Sequence, residues 1–403
     1  MSLRRATKSV AVLAAVLLGA VACGGSTGSD TSAGSAKPDV KVGLIYSKTG
    51  LLQSYGEQYE AGFKVGLDYV TKGTGKINGH KLVVSYNDDA GDPAKAVSIA
   101  KDLIGQGYNI IGGSASSGVA TQVAPLAAQN KVLFVSGAAA TDAITAINRY
   151  TFRSGRQSIQ DVLTAKAMLQ GGASGKKVLV FAQDSAFGQG NFAAVKALIG
   201  ADGATVSSLL VPLSANDFTA FAAQAKAAKP DLIFVAWAGT TAQAMWTALD
   251  QQGVFASTTI VTGLDQRASY ATFGPVGAKI QFLSHYIYQA PNNAANTYLI
   301  NALKKTGQVP DIFNPDGFVS AELIAHAVDK ADGDQSVDKM ISALEGYSFL
   351  APKGQETVRA QDHALLQPMF VAKLTQTGST YESEVLKTLA PTDVAPPVKP
   401  MGS

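Results

Sequence analysis

Asp231-Leu232-Ile233-Phe234-Val235-Ala236-Trp237 is the stretch on which the reading of this chain turns. Its centre is apolar without alternation, which suits a strand covered on both faces. Such strands belong to parallel sheets, whose neighbours are joined by crossover helices. Strand-length runs recur at 177–181, Thr205–Val211 and 259–261, and the segments between them carry helical periodicity. An earlier series has the same rhythm, at Val40–Tyr46, 81–86, 108–111 and 132–135. The fold class read from this is α/β, with two doubly wound parallel-sheet lobes over 39–155 and 156–285. Beyond Ser284, helical stretches at 293–305, 315–330 and 336–344 and strand-like runs ending in 367–374 make no third βα series. They are expected to pack back, 286–362 onto the first lobe and 363–385 onto the second. The chain then crosses between the lobes more than once, which makes a multi-strand hinge.

A chain of 403 residues exceeds one ordinary domain, and 46% hydrophobic against 16% charged residues excludes a disordered protein. Lysine and arginine number 33 and aspartate and glutamate 30, and Arg4, Arg5 and Lys8 account for the whole excess. Without them the body is neutral, and a nucleic-acid partner loses its electrostatic footprint. Those three cations precede an apolar run over 10–22, the pattern of a secretory signal and too short for the ~20 residues of a membrane helix. Residues 1–22 are therefore expected to be cleaved. The run ends Ala20-Val21-Ala22-Cys23-Gly24-Gly25, which resembles the bacterial lipobox, with Ala20 where that motif usually has Leu. The resemblance implies a diacylated Cys23 that anchors the protein to the outer face of the cell membrane. Cys23 is the only cysteine, so it has no intramolecular disulfide partner. Gly, Ser and Thr dominate the segment after it, so 23–38 reads as a flexible lipid-anchored linker. Pro391, Pro396, Pro397 and Pro400 make 386–403 read as a disordered tail.

Signatures of catalysis fail on inspection. In Gly113-Ser114-Ala115-Ser116-Ser117-Gly118 each serine-centred window lacks a glycine of the nucleophile elbow. Gly75-Lys76 and Gly175-Lys176 lack the remainder of a phosphate-binding loop. His80, His285, His326 and His363 have no metal-ligand spacing, so no metal and no cofactor is expected. The Gly/Ser segment does have a use: it follows a strand and opens a helix, where hydroxyls and free N–H groups suit a ligand carboxylate. The alternative is that Ser116 merely caps the helix.

The order of Tyr46-Ser47-Lys48-Thr49-Gly50, Ser54-Tyr55-Gly56, Ile111 to Ser117, Val135-Ser136-Gly137-Ala138-Ala139-Ala140-Thr141, Tyr150-Thr151-Phe152-Arg153 and Asp184-Ser185-Ala186-Phe187-Gly188 resembles the type I periplasmic solute-binding proteins of ABC transporters, the branched-chain amino acid and amide binders. The resemblance covers about 39–385. It implies two lobes joined by three strands, a small-molecule ligand held between them, and delivery to an ABC transporter permease. It further implies that Ser116, with groups of Ser114, Ala115, Ala138 and Ala139, holds the ligand's carboxylate and amine. A family threonine aligns with Ala140, and Thr141 one position later is taken to supply its hydroxyl. Phe187 closes from the second lobe, while Tyr55 and Phe318 wall the side-chain pocket. Trp237 and Thr240 enter the cleft after a strand, and Asp265 matches the acid, often glutamate, that meets an amino group. The leading ligand is an amino acid. Short amides or urea, aromatic acids, a ligand-sensing role and an α/β hydrolase stand as alternatives.

Cys23→Ala should move the protein from the membrane to the soluble fraction on detergent partition. Unchanged membrane retention would remove the lipid anchor.

Overall fold

The computed structural model describes residues 37–402 other than 170 and 379, so the expected leader, Cys23 and most of the expected linker lie outside the described residues. The first sheet contains β1 (Val40–Tyr46), β2 (Lys76–Ile77), β3 (His80–Asp88), β4 (Ile110–Gly112), β5 (Leu133–Ser136) and β6 (Thr151–Arg153), in the order β2-β3-β1-β4-β5-β6. All its pairings are parallel except that of β2 with β3. Between these strands run α1 (Gln53–Thr71), α2 (Pro93–Gly105) and α3 (Ser117–Asn130). Neighbouring residues of β1 serve opposite faces: Ile45 packs with α2 and α3, and Leu44 packs with Phe63 of α1.

The chain then enters the second lobe through α4 (Ser158–Met168). It continues as β7 (Lys177–Gln183), α5 (Ala186–Leu198), β8 (Thr205–Val211), α6 (Thr219–Ala227), β9 (Leu232–Ala236), α7 (Ala242–Gln251), β10 (Thr259–Gly263), α8 (Tyr270–Phe273) and β11 (Ile280–Ser284). The deciding stretch is β9, central in its sheet and buried along its length. Leu232 and Phe234 join one hydrophobic cluster, Ile233 and Val235 the other. That two-sided burial is the reason its sequence does not alternate.

From β11 the chain returns to the first lobe as α9 (Ala294–Lys304), α10 (Asn314–Lys330), α11 (Val337–Leu344) and a small sheet of β12 (Ser348–Ala351), β13 (Gly354–Val358) and β14 (Leu365–Leu366). It crosses once more into β15 (Met369–Thr377) and β16 (Thr380–Leu389), which extend the second sheet antiparallel to β11, giving the order β16-β15-β11-β10-β9-β7-β8. The lobes are thus joined after β6, β11 and β14. Among the described residues no helix is long and apolar enough to cross a membrane.

Two expectations are corrected here. Residues 386–403 are not a loose tail: 386–389 complete β16, and the described remainder is pinned to the body. Val394 is fully buried beside Met369 and Leu389, Arg359 donates to the Pro396 carbonyl at 2.7 Å, and the Gly402 N–H donates to the Ala146 carbonyl at 2.7 Å. Proline excludes helix but leaves an extended chain with free carbonyl acceptors, which is how this segment is held. Phe318 is a core residue of α10, packed with Tyr286, Leu299 and Leu303, its ring 5.1 Å from that of Tyr69.

Helices α1 and α10 approach until backbone meets backbone. A Cβ on Gly62 would stand 1.9 Å from the Asn314 carbonyl oxygen, and one on Gly317 would stand 2.0 Å from that of Tyr59. Neither obstacle is a side chain that can swing away. Gly62→Ala should therefore destabilise the fold by roughly 1–3 kcal/mol of overpacking, after allowing the ~1 kcal/mol that alanine returns in helix propensity. Chemical denaturation measures this, and an equally or more stable variant would contradict the close approach.

Candidate functional site

Parallel strands direct their carboxyl ends, and the loops leaving them, toward one edge of each sheet. The two edges face each other across a cavity of about 460 Å³, lined by the loops after β1, β4, β5, β7, β9 and β10. Ser116 is both of the things its sequence allowed. It is the N-cap of α3, its Oγ accepting the Val119 N–H at 3.4 Å, and it lines the cavity beside Ser117 and Gly118. A capping hydroxyl spends its lone pair on the helix and keeps its own proton for a ligand acceptor. Ala115 and Ala138 line the same wall.

Tyr55, in the first turn of α1, reaches the opposite lobe. Its hydroxyl donates to Asp265 Oδ1 at 2.7 Å and accepts the Gly239 N–H at 3.2 Å. Asp265 follows β10, and the same oxygen accepts the N–H of Gln266 at 2.8 Å. Burial pushes the Asp265 carboxyl above its ordinary range, and the Tyr55 hydroxyl pulls it partly back. A second bridge lies beside the first: Gln58 Nε2 donates to Gln266 Oε1 at 3.2 Å and to Asp311 Oδ2 at 3.3 Å, while the Arg267 N–H donates to Asp311 Oδ2 at 2.8 Å. Burial raises Asp311 to about 6.

Aromatic and aliphatic side chains make the remaining walls. Phe187 stands just inside α5, behind the Ser185 cap, and lines the cavity. Trp237 lines it with one side, while its other contacts are Phe181 at 5.7 Å, Phe218 at 5.2 Å and a hydrogen bond from Nε1 to Thr241 Oγ1 at 3.0 Å. Trp237 is thus wall and core together.

Several expected site residues do not face the cavity. Ser114 is buried, and its Oγ accepts the Ser116 N–H at 3.1 Å. The N–H of Ala139 is spent on the Ser114 carbonyl at 3.1 Å, and the Ala139 side chain lies in the core. Thr141 is buried with its Oγ1 on the Ala143 N–H at 3.2 Å, while Arg153 holds its carbonyl at 2.7 Å. Ala140, not Thr141, lines the cavity, so the one-residue shift expected for the hydroxyl does not occur. Thr240 is exposed outside it, and Thr241 takes the inward hydrogen bonds instead. Phe318 lies in the core described above.

Conversely, Arg156, Asp161, Gln183, His285 and Phe313 line the cavity without having been singled out. Phe313 packs on Tyr55 with ring centroids 4.4 Å apart. Gln183 is fully spent, bonding both the N–H and the carbonyl of Ala238. Burial, reinforced by the charges of Arg156 and Lys353, holds His285 well below its ordinary value and therefore neutral. Arg156 follows directly on the Tyr150-Thr151-Phe152-Arg153 motif, and a second arginine three residues on was the available signal.

A cleft between two α/β lobes, closed by side chains from both and joined by three crossings, is the architecture of a solute receptor. The sequence profile of the periplasmic binding proteins matches residues 39–379, and the chain belongs to that family. A Leu/Ile/Val-binding protein of Rhizobium johnstonii is 27% identical over 317 residues, covering 77% of this chain and 84% of that one. A solved ABC-type branched-chain amino acid transporter protein from Rhodopseudomonas palustris is 32% identical with a TM-score of 0.74, covering 91% of this chain and 100% of the other. A solute-binding protein from the same species, solved in complex with 3,4-dihydroxybenzoic acid, is 25% identical with a TM-score of 0.76 over 90% of this chain and 98% of its own. This protein is a type I periplasmic binding protein, an extracytoplasmic solute receptor of the ABC-transporter class and not an enzyme.

Ser116→Ala should cost about 1 kcal/mol of fold stability through the lost cap and roughly 1–3 kcal/mol of ligand affinity through the lost donor. Thermal melts and calorimetry separate the two, and affinity left unaltered would reduce Ser116 to a cap.

Proposed function

We propose that this receptor captures an α-amino acid with an apolar side chain and delivers it to an ABC importer, tethered to the extracytoplasmic face of the cell membrane by a lipidated Cys23. The observation that carries the reading is the cavity's two poles. On one wall the α3 N-terminus and Ser116 offer positive potential and a donor, and on the other stands Asp265, a carboxylate short of solvation. A zwitterion satisfies both at once. Between the poles, Tyr55, Phe187, Trp237 and Phe313 leave an apolar space suited to an aliphatic or aromatic side chain. The Leu/Ile/Val-binding relatives agree with this choice.

A second reading, an aromatic acid without an amine, is favoured by those aromatic walls and by the dihydroxybenzoate held in the similar solved protein. In that case the hydroxyl of Tyr55 is partner enough for Asp265. Other ligands weighed on sequence, short amides and urea, leave the apolar walls without a purpose.

The pair leucine and 4-methylpentanoate differ by the amine alone. Leucine should bind more tightly, and at 100 times its Kd should raise fold stability by about 2.7 kcal/mol. Asp265→Asn should weaken leucine by roughly 1.5–3 kcal/mol and the amine-free acid by far less. Equal losses, or a wild-type preference for 4-methylpentanoate or for benzoates, would replace the amino-acid reading with the aromatic-acid one.

A further inference from the structure

Arg156 is the one cationic side chain among the described residues that line the cavity, and its hydrogen bonds leave most of its capacity unspent. Nε approaches Asp161 Oδ1 at 3.4 Å, and Nη1 approaches the Ala138 carbonyl at 3.5 Å, both long contacts. One N–H of Nη1 and both of Nη2 donate to no acceptor among the described residues. Nη2 is nevertheless not sealed in protein, since it is absent from the buried unpartnered atoms while Nε of neighbouring Arg153 is among them. The guanidinium also lies 6.0 Å from the Phe313 ring centroid, which flanks it with apolar surface.

Its position is set by the same loops that bear Ser116. Ala138, which accepts from Arg156, precedes Ala139, whose N–H donates to the Ser114 carbonyl, and Ser114 Oγ accepts the Ser116 N–H. Arg156 and Ser116 thus belong to one hydrogen-bonded group of loops and line one cavity.

We propose that Arg156 is a specificity-determining residue: its guanidinium joins the start of α3 in holding the ligand's carboxylate, so that the cleft selects acids over their neutral amides. This rests on the amino-acid reading only for the amine; the carboxylate is common to both readings. Asp161 occupies the Nε side of the fork, and the two Nη nitrogens are the pair that meets a carboxylate in bidentate geometry. The ligand's charge meets a guanidinium that Asp161 engages only through a long contact to Nε, whereas a helix terminus alone supplies a partial charge. An amide presents no charge to that cation and sets an NH₂ against its donors. The cost of that mismatch is the source of selectivity.

The test measures the ratio of affinities for acid and amide by calorimetry, with leucine against leucinamide and 4-methylpentanoate against 4-methylpentanamide. Wild type should favour the acid of each pair. Arg156→Gln should cut that preference about ten- to hundredfold, through the acid rather than the amide, and Arg156→Lys, which keeps the charge without the fork, should restore part of it. Melts of the unliganded variants establish that they fold. If Arg156→Gln does not, a several-fold drop in Arg156→Lys carries the test. An unchanged ratio, or equal losses for acid and amide, would make Arg156 a loop anchor and overturn the assignment. Failure of wild type to bind either acid overturns it as well. Should 4-methylpentanoate outbind leucine, the amino-acid reading fails alone, and the second pair still decides Arg156.

Discussion

The close approach of α1 and α10 is the constraint on which the cleft depends. A Cβ at Gly62, Gly66 or Gly317 would stand within 2.6 Å of a backbone oxygen of the facing element, so glycine is what lets these helices come together. The contact sets the first-lobe wall of the cavity. Tyr55 and Gln58 lie on α1, and Phe313 immediately precedes α10. Asn314 Nδ2 ties the two by donating to the Gln58 carbonyl at 2.8 Å. Helices meeting through backbone have little freedom to slide, so the aromatic pair Tyr55 and Phe313 is presented to the second lobe in a single arrangement. The chain's return from β11 to its first lobe brings α10 to the face of α1 that these glycines leave open.

What the return requires is a polar hinge. Lys353, Asp316, Glu356 and Gln367 are buried next to the crossings, with Lys353 Nζ 3.0 Å from Asp316 Oδ1 and 3.7 Å from Glu356 Oε1. Burying such groups gains little stability over an apolar core, because desolvation offsets most of the attraction. The charge of Lys353 has a consequence for the cavity all the same. Together with Arg156, Lys353 helps keep His285 neutral, so the cleft floor adds no second cation to compete with the anion pole. Closure is then left to contacts between lobes. Tyr55 on Asp265, Gln58 on Gln266 and the Arg267 N–H on Asp311 are individually modest hydrogen bonds. A ligand touching both walls adds its own contacts to theirs, which is how binding shifts a hinge toward the closed arrangement.

Periodicity carried the architecture because parallel strands have a distinctive composition: β9 is apolar on both faces and reads so in sequence. Antiparallel additions carry no such mark. In β16 half-buried and exposed residues dominate, and its register comes from pairing with β15, a contact distant from local pattern. In the cavity wall, Ser116 was legible because a strand-to-helix junction fixes where such a residue stands, whereas Asp265 and Tyr55 were reached through the family resemblance alone. Thr141 was misjudged by one position because its placement is decided by long-range bonds, from Arg153 to its carbonyl and from its N–H to Ser117 Oγ. Phe318 was misjudged for the complementary reason. An aromatic on a buried helix has a core side and a cavity side, and helical period alone does not say which is which.

Arg156 shows where composition misleads about charge. A body with balanced charges has no net field to attract an anion, yet recognition in a closed cleft depends on local charge, where low permittivity strengthens each interaction. The two anions nearest the cavity are unequal in this respect. Asp161 pairs with Arg156 and is still pushed up to about 6 by burial, whereas Asp265 bonds the Tyr55 hydroxyl and the Gln266 N–H and takes part in no ion pair among the described residues. An amino group arriving at Asp265 therefore meets a carboxylate without a counterion, and a carboxylate arriving at α3 meets a cation that Asp161 only partly occupies. With the guanidinium of Arg156 only partly taken up by Asp161 and the carboxyl of Asp265 facing it in the same cavity, the cleft is dipolar, a pattern to which the charges of a zwitterion are complementary.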